Sequence, residues 1–270
     1  MKVACIQPKI HQDIEKCYTE IEILLKNLLK EFNNCNIICL PERWTPFFND
    51  MSHNIQDERG ENCEFIKDLA KKYEISILSG AIWEKRDNQK KPFITCYYFN
   101  EKGQEIGRQD KIHLYSYEQE YFEPGRVLNI FKLDKTKFAI LICFDVAFFE
   151  IPRLAVENGA DIIFSPTQIS IDGMYNWKIY LQARALENRI PVVGCNTLGK
   201  ICNKIFPGNS KIISFIKGST SPAKINIIEA LTNDSCFLYE NIDLDYLKIL
   251  RDIRLNEVID KDSIKVEKIN

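Results

Sequence analysis

The sequence predicts an α/β fold in which mixed β-sheets are covered by helices. Three observations carry this. Short apolar runs alternate with longer segments of one-faced helical period, β-rich segments with hairpin character close the chain, and prolines or glycines stand where the runs stop. Parallel strands joined through helices, with hairpins added, imply mixed sheets buried by those helices.

The elements follow in order. Residues 3–6 read as a short strand that meets Pro8. Over residues 14–32, apolar side chains fall at 14, 17, 18, 21, 24, 25, 28, 29 and 32, which is one face of a helix. Residues 37–40 are a buried strand stopped by Pro41. Residues 63–73 read as a helix, 75–83 as a strand, and 93–100 as β-rich before a turn at Glu101, Lys102 and Gly103. Residues 138–142 form a buried strand that ends at Cys143. A helix over 149–158 is closed by Gly159 and carries Pro152 near its start, where proline is tolerated. A strand over 162–165 stops at Pro166, a helix runs over 174–188, and a strand over 191–196. Residues 211–216, 224–229 and 236–242 are expected to close the fold as an antiparallel meander. This alternation uses up residues 1–270 as one domain, with 243–270 as a charged helix and tail that could serve an interface.

Composition narrows the class. Lys and Arg total 36 against 38 Asp and Glu, a formal charge of −2, so the basic excess of a nucleic-acid binder is absent. The longest wholly apolar run, residues 138–144, is far short of the roughly 20 residues a spanning helix needs. The first residues include no stretch of signal-peptide character, and a cytoplasmic protein is expected. Ten cysteines show no C-x-x-C pair and there are three histidines, so no zinc framework is expected and most thiols are read as buried small hydrophobes.

Three segments end a buried run on a reactive residue: ICLPE on Glu42, RQDKIHLY at Lys111, and ILICFD at Cys143. Sites in open α/β sheets lie at the carboxyl ends of strands. A thiol there becomes a nucleophile if a neighbour takes its proton, the role that fits Glu42. Lys111 would stabilise the thiolate and, with the Phe144 backbone N–H, the oxyanion. Cys143 is accordingly expected to be the most reactive of the ten thiols, its pKa depressed by Lys111 and a helix N-terminus. His113 lies two residues past Lys111 and is read as a packing or hydrogen-bonding residue, since Glu42 and Lys111 already fill the needed roles. S-x-x-K at Ser214 and the Gly208-Asn209-Ser210 turn lack the companion motifs that would make either a nucleophile site.

These segments, in this order, resemble the nitrilase superfamily of carbon–nitrogen hydrolases over nearly the whole chain. The likeness rests on VACIQ, LPE, DKIHL, CFDVAFFEIPRLAVENGADIIFSPT, W-x6-RALEN, PVVGCNT and PGNS. The resemblance implies a four-layer αββα sandwich, a homodimer or larger assembly paired through helices, a Glu42–Lys111–Cys143 triad with a thioester intermediate, and no cofactor. It also implies a second glutamate, matched by Glu118 in EQEYFEPG with Glu120 as competitor. Trp44, Ala147 and Gln168 are expected to face the substrate. Asp145, two residues after the nucleophile, is similar to the amidase and carbamoylase branches, so a small linear amide or N-carbamoyl substrate is expected. The alternatives are a nitrilase, an ammonia-releasing glutaminase-like subunit, or a silent binding module on the same fold. Many members carry Arg where this chain has Ala147. The missing cation points to neutral or cationic substrates, unless Arg43 or Arg126 supplies the charge from elsewhere.

Overall fold

Alternation along the early strands fixes which layer each face meets. The structure, a computed structural model, describes residues 1–269. In β1 (Lys2–Gln7), Val3 and Cys5 join one apolar cluster while Ala4 and Ile6 join another. In β2 (Ile37–Cys39) the same split separates Ile37 and Cys39 from Ile38. Successive side chains of a strand point to opposite faces, so both faces of this sheet are buried. One face packs on α1 (Ile14–Glu31) and α2 (Glu61–Lys72), through Ile21, Leu25 and Leu28 of the first and Cys63, Ile66 and Leu69 of the second. The other face packs on a second sheet, through Phe138, Ile140, Phe164 and Val193.

The remaining strands complete the two sheets. β3 (Gln56–Asp57), β4 (Ser76–Leu78), β5 (Ile82–Lys85), β6 (Phe93–Phe99) and β7 (Glu105–Asp110) belong to the first, in the order β16-β1-β2-β4-β6-β5-β3 with β7 paired to β6. After the short helix α3 (Glu118–Tyr121) come β8 (Ile130–Leu133), β9 (Thr136–Ile140), α4 (Glu150–Glu157), β10 (Ile162–Thr167), α5 (Met174–Asn188) and β11 (Val192–Asn196). A hairpin of β12 (Leu198–Ile201) and β13 (Lys204–Pro207) precedes β14 (Lys211–Phe215), β15 (Ile225–Glu229), β16 (Cys236–Asn241) and α6 (Leu244–Asn256). The second sheet runs β15-β14-β11-β10-β9-β8. Helices α4, α5 and α6 cover it through Ala155, Val156, Trp177, Leu181, Leu247 and Leu250. The helix over β11 sits so close that a Cβ on Gly194 would lie 2.7 Å from Leu181 Cδ1. The result is the four-layer αββα sandwich.

Four sequence readings are corrected. Residues 75–83 are two strands, because Gly80 at φ 70° breaks the run and lets the chain pass Pro41; a Cβ there would sit 2.1 Å from the Pro41 carbonyl oxygen. β10 runs through Pro166, which is opposite Cys195 of β11. Its missing N–H costs no ladder bond, since pairing with β9 ends at Phe164. The last three strands form no meander: β14 pairs with β15, but β16 crosses to the first sheet and pairs with β1. The helix N-terminus expected at Cys143 is a 3-10 turn, Cys143–Ala147, while the helix read over 149–158 is α4, Glu150–Glu157.

Among the described residues no helix is long and apolar enough to cross a membrane.

Candidate active site

Three strand ends meet where the two sheets face each other. Glu42 follows β2 and donates its backbone N–H to the Thr167 carbonyl at the end of β10, 3.2 Å away, which ties the first sheet to the second at this point. Lys111 follows β7, with its N–H on the Ile94 carbonyl at 2.8 Å. Cys143 follows β9 at φ 50°, a left-handed conformation rare for a side chain with a Cβ.

Asp145 holds that corner. Its carboxylate, wholly buried, accepts from the backbone N–H groups of Ile142 at 2.9 Å and His113 at 2.7 Å, and from the His113 ring at 3.1 Å. One side chain thus links the nucleophile turn to the segment that carries Lys111. His113 also stacks on Phe148 at 4.1 Å, which makes it the packing and hydrogen-bonding residue the sequence suggests. From behind, Arg184 of α5 donates to the Val146 carbonyl at 2.9 Å and to that of Ala147 at 3.4 Å. This explains the arginine of RALEN.

Lys111, Glu42, Glu118 and Cys143 are all buried. The Lys111 Nζ donates to Glu42 Oε1 and to Glu118 Oε1, both at 2.8 Å. Glu118 Oε2 accepts from the Tyr115 N–H at 2.8 Å, while Glu120 is exposed, so of the two it is Glu118 that reaches Lys111. Glu42 Oε2 is buried without a hydrogen-bond partner. An acceptor left bare beside a thiol is what a general base needs, and leaving it unmade without function is costly.

The charges around the thiol oppose one another. Burial acts to lower the Lys111 pKa, but Glu42, Cys143 and Glu118 outweigh it and hold the ammonium well above its usual value. Burial, with Glu42 adding to it, pushes the Glu118 carboxyl up against the pull of Lys111. Burial and then Glu42 push the Cys143 thiol well above its usual value, and Lys111 and the Gln168 backbone N–H only partly offset them. The expected depression of the thiol is therefore corrected. A short 3-10 turn lacks the dipole of a long helix, and the nearest anion outweighs the ammonium. A thiol held above its usual value keeps its proton at neutral pH. Iodoacetamide labelling of Cys143 is accordingly expected to keep rising with pH beyond about 8.5, the ordinary thiol midpoint. A midpoint well below that, read by mass spectrometry of the Cys143 peptide, would mean that Lys111 holds a resting thiolate. Exposed Cys202 will label alongside it.

The Phe144 N–H has no partner within the described residues and lies next to the sulfur in sequence, free for an oxyanion. The Gln168 backbone N–H lies near enough to the sulfur to favour its thiolate form. That segment is fixed by Asn196, whose Oδ1 accepts from the Ile169 N–H at 2.8 Å and whose Nδ2 donates to the Gly208 carbonyl at 2.7 Å. Ala147 ends the 3-10 turn, half-buried, and offers a methyl group where a cation might have stood. Trp44 is corrected: it faces away from the site. Its ring packs beside Tyr18 and Phe65 under α1 and α2, and its Nε1 donates to the Ser79 carbonyl at 2.7 Å. Trp44 lies in the loop that follows β2, and that loop turns it to the helix side of the sheet.

Sequence reasoning missed Gln7 and underrated Arg43. Gln7 bridges the sheets: its Oε1 accepts from the Ser210 N–H and hydroxyl, both at 2.8 Å, and its Nε2 donates to the Asp234 carbonyl at 2.7 Å. A glutamine closing an apolar strand was the available clue. Arg43 is 3% exposed, and its guanidinium lies over the Trp83 ring at 4.3 Å. Burial pushes its pKa down to about 10 against the pull of Tyr117 and Glu42. Among the described residues no three His, Cys, Asp or Glu side chains are grouped to hold a metal ion.

Comparison with known proteins agrees with this geometry. The carbon–nitrogen hydrolase family model matches residues 2–234. The chain is 34% identical over 223 residues to the "hydrolase in agr operon" of Staphylococcus aureus, covering 79% of this chain and 83% of that one. It is 31% identical over 189 residues to 2-oxoglutaramate amidase of Bacillus subtilis, covering 68% and 72%. Its fold superposes on Saccharomyces cerevisiae Nit3, a member of branch 10 of the nitrilase superfamily, with TM-score 0.83 and 22% identity over 98% of this chain and 97% of the other.

Proposed function

The chain belongs to the carbon–nitrogen hydrolase family, and from that premise we propose that Cys143, Glu42, Lys111 and Glu118 hydrolyse a small linear amide or N-carbamoyl compound. The enzyme is a carbon–nitrogen hydrolase with a cysteine nucleophile. The observation that carries the residue roles is the bare, buried Oε2 of Glu42 in a carboxylate already fixed through its other oxygen by Lys111.

Glu42 takes the thiol proton as the sulfur attacks the carbonyl carbon. The oxyanion is held by the Lys111 ammonium and the Phe144 N–H. Glu42 returns the proton to the leaving nitrogen, and ammonia or an amine departs to leave a thioester. Glu42 then takes a proton from water, which attacks the thioester, and passes that proton to the leaving sulfur as the C–S bond breaks and the acid is released. Glu118 keeps Lys111 in place and charged by accepting its second hydrogen bond. Preorganised donors in a buried site are strong because no water competes for them.

The 2-oxoglutaramate amidase of Bacillus subtilis and the ω-amidase of Saccharomyces cerevisiae support an amide over a nitrile. The compartment we favour is the cytoplasm. Tyr175 and Ile179 of α5 with Ile249 and Ile253 of α6 are exposed apolar residues, which supports a homodimer or larger homo-oligomer paired through helices. A screen of matched amides, ureides and nitriles, read by ammonia release and product mass, tests the reaction. Turnover of amides or ureides is expected. Conversion of nitriles alone would overturn the reading.

A further inference from the structure

Beside Glu42 lies a buried cation that the reaction above leaves idle. Arg43 Nη2 donates to the Pro46 carbonyl at 3.2 Å and to Asn54 Oδ1 at 2.5 Å. Its backbone is clamped by Thr197, whose hydroxyl accepts from the Arg43 N–H at 3.1 Å and lies 2.8 Å from its carbonyl oxygen. Its guanidinium is stacked between Trp83, at 4.3 Å, and Phe47, at 5.2 Å. Among the described residues it forms no ion pair, and a guanidinium taken out of water without a carboxylate is expensive. Stacking on two rings offsets only part of that.

Two donors at this point are also unsatisfied. Arg43 Nε and Trp83 Nε1 are both buried without a hydrogen-bond partner, on side chains each 3% exposed. Arg43 Nη1 makes no hydrogen bond either, but unlike Nε it is not fully enclosed. Orphan donors on a fixed, uncompensated cation next to the catalytic base describe a place for an acceptor that carries negative charge. Guanidinium binds carboxylates through paired N–H groups, so a carboxylate suits it best.

We propose that Arg43 is the specificity-determining cation of this site, receiving a carboxylate at the end of a linear substrate remote from the scissile amide. This rests on the hydrolytic reading above and narrows it to amide acids. It also reverses the preference for neutral or cationic substrates that the absence of arginine at Ala147 suggests. The charge has moved to the residue after the base, on a different loop. Arg126, the other arginine considered, is exposed.

The test compares glutaramate, the monoamide of a five-carbon dicarboxylic acid, with its neutral analogue valeramide. The wild-type enzyme should favour glutaramate in kcat/KM by tenfold or more. In Arg43→Met that acid-to-neutral ratio should fall about 30-fold or more, roughly 2 kcal/mol at 1.4 kcal/mol per tenfold. Arg43→Lys should fall in between, because it keeps the charge and loses the fork. General damage to the fold cancels in the ratio. A ratio near one in the wild type, or one unchanged in Arg43→Met, overturns the proposal while amide hydrolysis stands. Should neither amide turn over, glutarate binding to Cys143→Ala protein, followed by calorimetry, still decides. Loss of that binding in the Cys143→Ala, Arg43→Met double variant supports Arg43 without any catalysis. Absence of binding, or equal binding to both proteins, overturns it; the hydrogen-bond gap at Arg43 would then be filled by water.

Discussion

Cys143→Ala is expected to abolish turnover, by at least about 10⁴-fold, with the fold intact. Removing a nucleophile that acts as one unit with its base costs nearly the whole chemical advantage. Folding should not suffer, for three reasons visible in the site. The thiol is protonated at rest, so no charge leaves the buried cluster when it is removed. The left-handed backbone at position 143 is maintained by Asp145 and not by the sulfur. The side chain is small, so the cavity left is slight. Thermal unfolding should shift by only a few degrees, and steady-state ammonia release should fall to background. Residual turnover within about 100-fold of wild type, in protein free of wild-type contamination, would mean that sulfur is not the attacking atom.

Glu42→Gln is the second large effect. The amide keeps the size of the carboxylate and an oxygen that can still accept from Lys111, but it cannot carry a proton. A loss on the order of 100-fold or more in kcat is expected from removing a general base. Because the same carboxylate serves both attack by sulfur and attack by water, both half-reactions should slow. A rapid-quench experiment should show no burst of the first product, since acylation is impaired along with deacylation. A full burst followed by a stalled thioester would confine Glu42 to the second step. Near wild-type kcat would remove it from the mechanism.

Much of this was legible in the chain because it is written in local pattern. The helix over Met174–Asn188 is found where periodicity puts it, and Glu42 and Cys143 end apolar runs while Lys111 follows the polar strand β7, because strand ends are where the sandwich opens. What was not legible depends on partners remote in sequence. The run over 75–83 looks continuous, and only the approach of Pro41 to Gly80 explains the break. Pro166 reads as a strand terminator until the shorter neighbouring strand is known. Trp44 looked like a pocket residue through its nearness to Glu42, yet the loop after β2 turns it to the opposite layer. Arg43 was one of two loop arginines that could replace the missing charge. Its significance comes from Trp83 and Phe47 closing over it while no acid pairs with it among the described residues. Asp145 was readable as a motif letter, but its hold on both His113 and Ile142 required the fold.

The crossing of β16 has a consequence for how the molecule is made. Residues 236–241 zip onto residues 2–7, so β1 finds one of its two neighbours only after residues 8–235 have been made. Until then β1 is an unprotected edge of apolar residues, open to pairing with the wrong strand. Contacts this distant in sequence are slow to form, because the loop must close before they repay its entropy. Gln7, at the end of that same strand, must then find Ser210. The sheet edge and the bridge behind the catalytic cleft are thus completed together and late. Glu42 and Cys143 are therefore both made before the strand that completes their sandwich.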